Sequence, residues 1–358
     1  MGDVPASTRP PILGVAIVLA AASMFGTLGS LSRFAYDAGM QPLAFVAWRG
    51  GIGFLATAAF VAWRIGRGGR RLTRLADLDR RARVSLLVVA VMGFVLNLCL
   101  FIAFDRTTVA LVLLGFYTYP VLVAAINVLL GREPLDRARV FALLLAVLGM
   151  IAVVASQLDP AAGIRFDGIG IGLALAAAGS QAVFVILSRS GYRVVPADQA
   201  MGFVFGVTVA CSILLALATS ASATLAYPIQ APAVLPLLAF TGLIAAAIPS
   251  MLFLIGIRLV GGTGAGILML FEPVVGVVLA ALLLHEGLAP VQVLGGLSIL
   301  GAALILQRAA PPGDRATAAP AVEAEASESA VRVAEGPEAA LPPPPRSSGS
   351  SHGAPDRP

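Results

Sequence analysis

From Gln199 to Ile257 the chain carries no charged residue. A run of that length is too long for one buried helix and too apolar for a surface element, so it must cross a bilayer more than once. Its SASATLAYPIQAP segment (220–232), with small residues and two prolines, reads as the turn between two spans. The whole chain has the same character. Hydrophobic residues make up 58% and charged residues 12% of its 358 positions, where a soluble domain carries roughly 25% charge. The first apolar run (11–31) is long for a signal-peptide core and is followed by many more, so it reads as a permanent helix.

Apolar runs predict helices at 11–31, 42–63, 84–104, 107–130, 138–156, 168–188, 198–219, 232–257, 263–284 and 289–307. Two of these runs echo each other. Residues 115–135 read GFYTYPVLVAAINVLLGREPL and 268–288 read LMLFEPVVGVVLAALLLHEGL. In a common register Pro120 falls on Pro273, Glu133 on Glu286 and Leu135 on Leu288. At nearly the same shift, Leu31-Ser32-Arg33 with Tyr36 matches Leu187-Ser188-Arg189 with Tyr192. The chain is a duplication, with a first repeat at 11–156, a connecting loop at 157–167 and a second repeat at 168–308. Five helices per repeat is an odd number, so the second repeat enters the membrane inverted relative to the first. Inverted repeats can rock about a shared central site and open it to each side in turn.

All 24 basic residues are arginine. Counted on alternate sides of the ten predicted spans, fifteen lie with the amino terminus (1–10) and with the segments at 64–83, 131–139, 189–197 and 258. The other side holds Arg33, Arg106 and Arg165. Arginine-rich segments stay on the cytoplasmic side, which predicts cytoplasmic termini and, with this composition, a bacterial inner membrane. The +5 net charge is therefore an orientation signal rather than a nucleic-acid footprint. From Ala309 to Pro358 the chain turns rich in Ala, Pro, Glu and Ser and includes PPPPR at 342–346, which predicts a disordered cytoplasmic tail.

Cys99 and Cys211 each lie inside an apolar run and read as small buried hydrophobes, while His285 and His352 are far apart in sequence. No spacing suits a metal, and no cofactor is expected. No GxxxxGK[ST] loop exists to hold a nucleotide. Gly50-Gly51, Gly261-Gly262 and Gly295-Gly296 read as points of close helix approach.

Glu272 is the sharpest candidate for chemistry. It lies about halfway along an apolar span beside Pro273. An ionised carboxylate in hydrocarbon costs several kcal/mol, so such a residue faces a cavity or a partner, or carries a proton. It would suit proton carriage or a substrate ammonium; the plainer reading is a protonated glutamate bonded between helices. Arg49, in the second predicted helix, either snorkels outward, holds a substrate carboxylate or pairs with Glu272. Asn97, Tyr117, Tyr119, Gln181 and Ser250 lie at similar depth and supply polarity, each read singly as interhelical glue. Pro120 and Pro273 free backbone carbonyls one turn earlier and are candidates for bending or gating. Glu133 and Glu286 end their apolar runs, where a carboxylate favours the start of the next helix, and a gating role stays open.

These residues together resemble the drug/metabolite transporter superfamily, and within it the EamA-type transporters. Those proteins have two five-helix repeats, a proline in the fourth helix of each, and a Glu-Leu-type motif opening the fifth. The corresponding features here are Pro120 with GREPL (131–135) and Pro273 with HEGL (285–288), and Phe271-Glu272-Pro273 is also similar to the second repeat. The resemblance covers about 11–308. It implies alternating-access transport of small metabolites such as amino acids or drugs, by family habit export, with protons as the candidate coupling ion. One departure is Tyr119 where the second repeat has Glu272, so no symmetric carboxylate pair exists. The alternatives are a membrane enzyme acting on a lipid-linked substrate, which needs a surface cluster of Asp, Glu or His, and a non-transporting receptor or scaffold signalling through its tail. The sequence thus predicts an all-α integral membrane protein of ten transmembrane helices in two inverted repeats, and a transporter rather than an enzyme.

Overall fold

Four of the apolar segments predicted as spans are interrupted partway, and these interruptions organise the fold. The computed structural model of the chain describes residues 12–68, 72–131, 136–156, 158, 165–276, 278 and 289–308. Glu133, Glu286, the amino-terminal ten residues and the predicted tail lie outside the described residues. Among those described there are helices and turns but no strand. The long elements are α1 (Ile12–Phe25), α2 (Leu28–Asp37), α3 (Pro42–Gly66), α4 (Arg80–Arg106), α5 (Val109–Phe116), α6 (Tyr119–Leu129), α7 (Arg137–Ala155), α8 (Gly168–Ser190) and α9 (Ala197–Ala218). After them come the short α10 (Ser222–Leu225) and α11 (Tyr227–Gln230), then α12 (Leu235–Gly242), α13 (Ile248–Val260), α14 (Gly262–Met269) and α15 (Pro290–Arg308).

Among the described residues, seven helical stretches, counting α5–α6 and 232–260 as one each, are long and apolar enough to cross a membrane, and Ile12–Phe25, Gly262–Gly276 and Pro290–Ile305 are shorter apolar helices. Side-chain carboxylates close several amino-terminal ends. Asp79 accepts from the Ala82 amide at 3.2 Å, Asp136 from Arg139 at 2.7 Å and Asp167 from Gly170 at 2.7 Å. Each satisfies one of the four amides that a helix start leaves without a carbonyl.

The interruptions fall at Gly26–Thr27 between α1 and α2, at Tyr117–Thr118 between α5 and α6, at Leu270–Phe271 beyond α14, and at the π-helical turn Leu243–Ala247 between α12 and α13. From sequence the breaks are expected at Pro120 and Pro273. The structure puts each proline in the first turn of the segment after the break, Pro120 in α6 and Pro273 in the segment 272–276. The reason is steric and local: proline is at home where its missing N–H would have no carbonyl partner, so the chain breaks before it. The breaks at Gly26 and in the π turn have no signal among the residues singled out by sequence.

Helices of the first half pack on helices of the second. The main contacts are α7 on α15, α4 on α8, α3 on α9, α1 on α13 and α4 on α9, and α6 also meets α14. Small residues make the closest of these. A Cβ on Gly149 would sit 2.6 Å from the Gly295 carbonyl, and one on Gly295 equally close to the Gly149 carbonyl, so α7 and α15 touch backbone to backbone. Gly50 of α3 packs instead on the Thr208 side chain of α9, where an added Cβ would lie 3.3 Å from its methyl. Gly261 differs, because its φ of +85° forms the turn between α13 and α14, a conformation that side-chain-bearing residues resist.

The arginines gather at two ends. Arg33 donates to the Thr107 carbonyl at 3.3 Å, Arg106 pairs with Asp167 at 2.8 Å, and Arg165 donates to the Asp105 carbonyl at 3.1 Å. These are the three that the sequence sets apart from the rest. Elsewhere Arg64 pairs with Asp198 at 2.7 Å, while Arg258 donates to the Val195 carbonyl at 2.9 Å and lies over the Tyr192 ring. The repeated Ser–Tyr motif forms a local pair in the second half, with Ser188 and Tyr192 hydroxyls 2.6 Å apart.

Candidate functional site

Arg49 is buried in α3 with 5% of its surface exposed, and it points inward rather than snorkelling. Its Nη1 donates to Asn97 Oδ1 of α4 at 2.8 Å, and its Nη2 donates to the Ala245 carbonyl at 2.7 Å. Asn97 is oriented for this contact by its own Nδ2, which donates to the Gly93 carbonyl at 2.7 Å. The guanidinium lies over the Phe101 ring, 5.4 Å from its centroid. Ala245 belongs to the π turn, and four residues beyond it stands Pro249. Proline has no N–H for the carbonyl at i−4, so Arg49 supplies a donor where Pro249 cannot. The Arg49 Nε–H has no partner.

Glu272 opens the segment beyond the third interruption and is half-buried. It interacts electrostatically with Arg49, Tyr117 and Tyr119. Tyr117 and Tyr119 flank the α5–α6 break, each 1% exposed; the Tyr117 hydroxyl interacts with Glu272 and the Tyr119 hydroxyl with Gln181, neither through a well-formed hydrogen bond. The Phe116 ring packs on both, with centroids at 5.5 and 5.3 Å. Gln181 of α8 is buried beside Tyr119. The α1–α2 break meets the same place, since a Cβ on Gly26 would lie 2.7 Å from the Glu272 carbonyl. Gly266 of α14 rests on Pro120.

The structure therefore brings Arg49, Asn97, Glu272, Tyr117, Tyr119 and Gln181 into one cluster beside three helix breaks. Most buried hydroxyls are hydrogen-bonded, because an unpaired one costs about 1–3 kcal/mol. Two hydroxyls without a well-formed hydrogen bond and an unpaired guanidinium N–H around one carboxylate form a place that can still accept a polar ligand. Ser250 stands apart from these partners, half-buried in the first turn of α13.

Comparison with known proteins agrees with this architecture. The model of the EamA-like transporter family matches the chain twice, over residues 12–155 and 168–307. The chain belongs to the EamA-like transporter family. It is thereby a member of the drug/metabolite transporter superfamily and a multi-pass membrane protein. A solved crystal structure is similar in fold, with a TM-score of 0.62 and 20% sequence identity over 83% of this chain and 98% of that one. No curated protein matches the chain in sequence.

Some groups of this EamA-like transporter are not legible from sequence. Phe101 under Arg49 and the Ala245 carbonyl have no polar side chain to advertise them. Tyr36 donates to the Phe101 carbonyl at 3.1 Å and interacts electrostatically with Arg49; its place in the repeated Ser–Tyr motif is the available signal. Asn127 of α6 donates to Thr263 Oγ1 of α14 at 3.3 Å and is buried. It is a lone amide in an apolar run, the same signal that singles out Asn97.

Proposed function

We propose that this chain is a secondary active transporter that exports small metabolites, such as amino acids or drugs, by alternating access about the Glu272–Arg49 cluster. In this reading its ten apolar segments all span a bacterial inner membrane, both termini are cytoplasmic, and two inverted five-helix repeats (11–156 and 168–308) rock about the cluster. The pairing of α3 with α9, α7 with α15 and α6 with α14, and of α4–α8 alongside α1–α13, supports it. A two-fold relation between halves requires that kind of reciprocal pairing. Interrupted helices beside a central polar site are the usual construction of such carriers.

The observation that carries the proposal is the Glu272 carboxylate facing Arg49 and the buried Tyr117 hydroxyl, with Tyr119 and Gln181 beside them, next to helix breaks. Glu272 binds a proton or a substrate ammonium. Arg49 supplies positive charge and one free N–H, while Tyr117, Tyr119, Asn97 and Gln181 select for polar groups. Pro120 and Pro273 let the segments beyond the breaks move as units, with Glu133 and Glu286 as gate candidates.

The test is uptake and efflux in proteoliposomes containing the purified chain, with a panel of labelled amino acids and cationic drugs and an imposed pH gradient. Wild type should move at least one substrate with a rate that follows pH, and Glu272→Gln should remove the pH response. A Glu272→Gln protein with the full pH response would exclude the proton-carrier role. Absence of movement for the whole panel would exclude the substrate class.

A further inference from the structure

A cavity lies outside the Glu272 cluster and shares no residue with it. It is a crevice of about 770 Å³ between α3, α9 and the segment leading to α4. Phe54, Ala58 and Ala62 of α3, Leu72 and Leu75 of the connecting segment, and Phe203 of α9 shape it. Its lining along α3 runs from Phe54 to Gly66, which at 1.5 Å per residue is about 18 Å. That is close to the ~15 Å of hydrocarbon in one leaflet. Phe54, Leu72 and Leu75 also keep large exposed apolar surface, so the crevice opens to the surface of the molecule rather than into the core.

One end of the crevice is built, not loose. Arg83 donates to the carbonyls of Leu75, Ala76 and Leu78 at 3.1, 3.2 and 3.0 Å, which fixes the turn that covers this end. The Gln199 side chain both accepts from and donates to the backbone of Thr73, and Arg64 pairs with Asp198 at 2.7 Å. This end is also cationic. Among the described residues, 64–68 and 72–83 hold six arginines against two aspartates. Arg67 directly follows the lining residue Gly66, and Arg74 stands between the lining residues Thr73 and Leu75. Both are exposed. Arg67 lies 4.8 Å over the ring of Trp63, itself 53% exposed, the pairing that marks the headgroup level of a membrane protein.

An apolar slot one leaflet deep, ending at exposed arginines at headgroup level, has the two-part chemistry of a lipid. We infer that this crevice is a binding site for an anionic phospholipid, with one acyl chain between α3 and α9 and its phosphate against Arg67 and Arg74. Charge complementarity selects the anionic headgroup, and the apolar lining selects the chain. The covering turn links α3 to α4, so a bound lipid touches both the helix of Arg49 and the connection to the helix of Asn97.

The test uses the full chain in a non-ionic detergent. Dioleoylphosphatidylglycerol, dioleoylphosphatidylcholine and sodium phosphate are added separately, and bound lipid is counted by native mass spectrometry beside the thermal midpoint. The phosphatidylglycerol should remain bound and raise the midpoint by several degrees, the phosphatidylcholine should do so weakly, and phosphate should do nothing. Ala58→Trp should abolish retention of the phosphatidylglycerol by filling the slot, with Ala62→Phe used where Ala58→Trp is not monodisperse. Arg67→Gln with Arg74→Gln should weaken it roughly tenfold, to the level of the zwitterionic lipid. Equal retention of the two lipids by wild type would overturn the headgroup assignment. Unchanged retention in the filled variants, or a phosphate shift as large as that of the lipid, would overturn the site.

Discussion

Arg49 Nη2 sits 2.7 Å from the carbonyl oxygen of Ala245, joining α3 to the π turn of a helix almost two hundred residues later in the chain. That carbonyl is the one Pro249 cannot serve. Truncating Arg49→Ala should therefore leave buried acceptors on Ala245 and Asn97, at a cost of about 1–3 kcal/mol for each group left unpaired. Pro249→Ala restores a backbone donor. The loss in thermal midpoint from Arg49→Ala should be smaller in the Pro249→Ala background, as a double-mutant cycle would measure. Additive losses would show that the two residues do not share the carbonyl.

Tyr117→Phe separates ligand binding from folding. The buried hydroxyl it removes lies beside Glu272 without a well-formed hydrogen bond, so the thermal midpoint should change little. If that hydroxyl meets substrate, affinity falls about tenfold, near 1.4 kcal/mol. A midpoint several degrees lower would mean that the hydroxyl serves the fold.

Close helix contact makes a sharp distinction between two glycines. Gly149→Ala places a methyl 2.6 Å from the Gly295 carbonyl and should cost about 1–3 kcal/mol through forced separation of α7 and α15. Gly172→Ala, with nothing within 4 Å of the added Cβ, should hold or gain up to about 1 kcal/mol through helix propensity. Thermal unfolding of both variants in one detergent checks the pair.

Asp167 gives a pH signature outside the membrane-spanning segments. The hydrogen bonds from Arg106, and then the amide of Gly170, hold its pKa below the ordinary carboxylate value. The folded pKa lies below the unfolded one, so its stabilising contribution is present above the unfolded value and is lost as pH falls through the folded value. Wild type should exceed Asp167→Asn in thermal midpoint near neutrality, and the difference should vanish on acidification. A constant difference across that range would contradict the linkage.

The sequence revealed the membrane class and singled out Glu272 for one reason, while the duplication showed through its repeated motifs. In hydrocarbon, a charge or a run of apolar residues carries a large local energy that needs no knowledge of partners. Glu272 was legible because it interrupts an apolar run, and Pro120 and Pro273 because they repeat. The direction of Arg49 was not legible, since snorkelling outward and pointing inward fit the same sequence.

What the tertiary structure decided is how those groups meet. It turned Arg49 toward Asn97 and Ala245, opened a π turn ahead of Pro249, and set the Gly26 break against the Glu272 carbonyl. Each of these joins elements far apart in the chain, and each depends on which carbonyls are left without donors once the helices pack. Local sequence determines that a polar group in a membrane needs a partner. Only the packed fold determines which partner it finds.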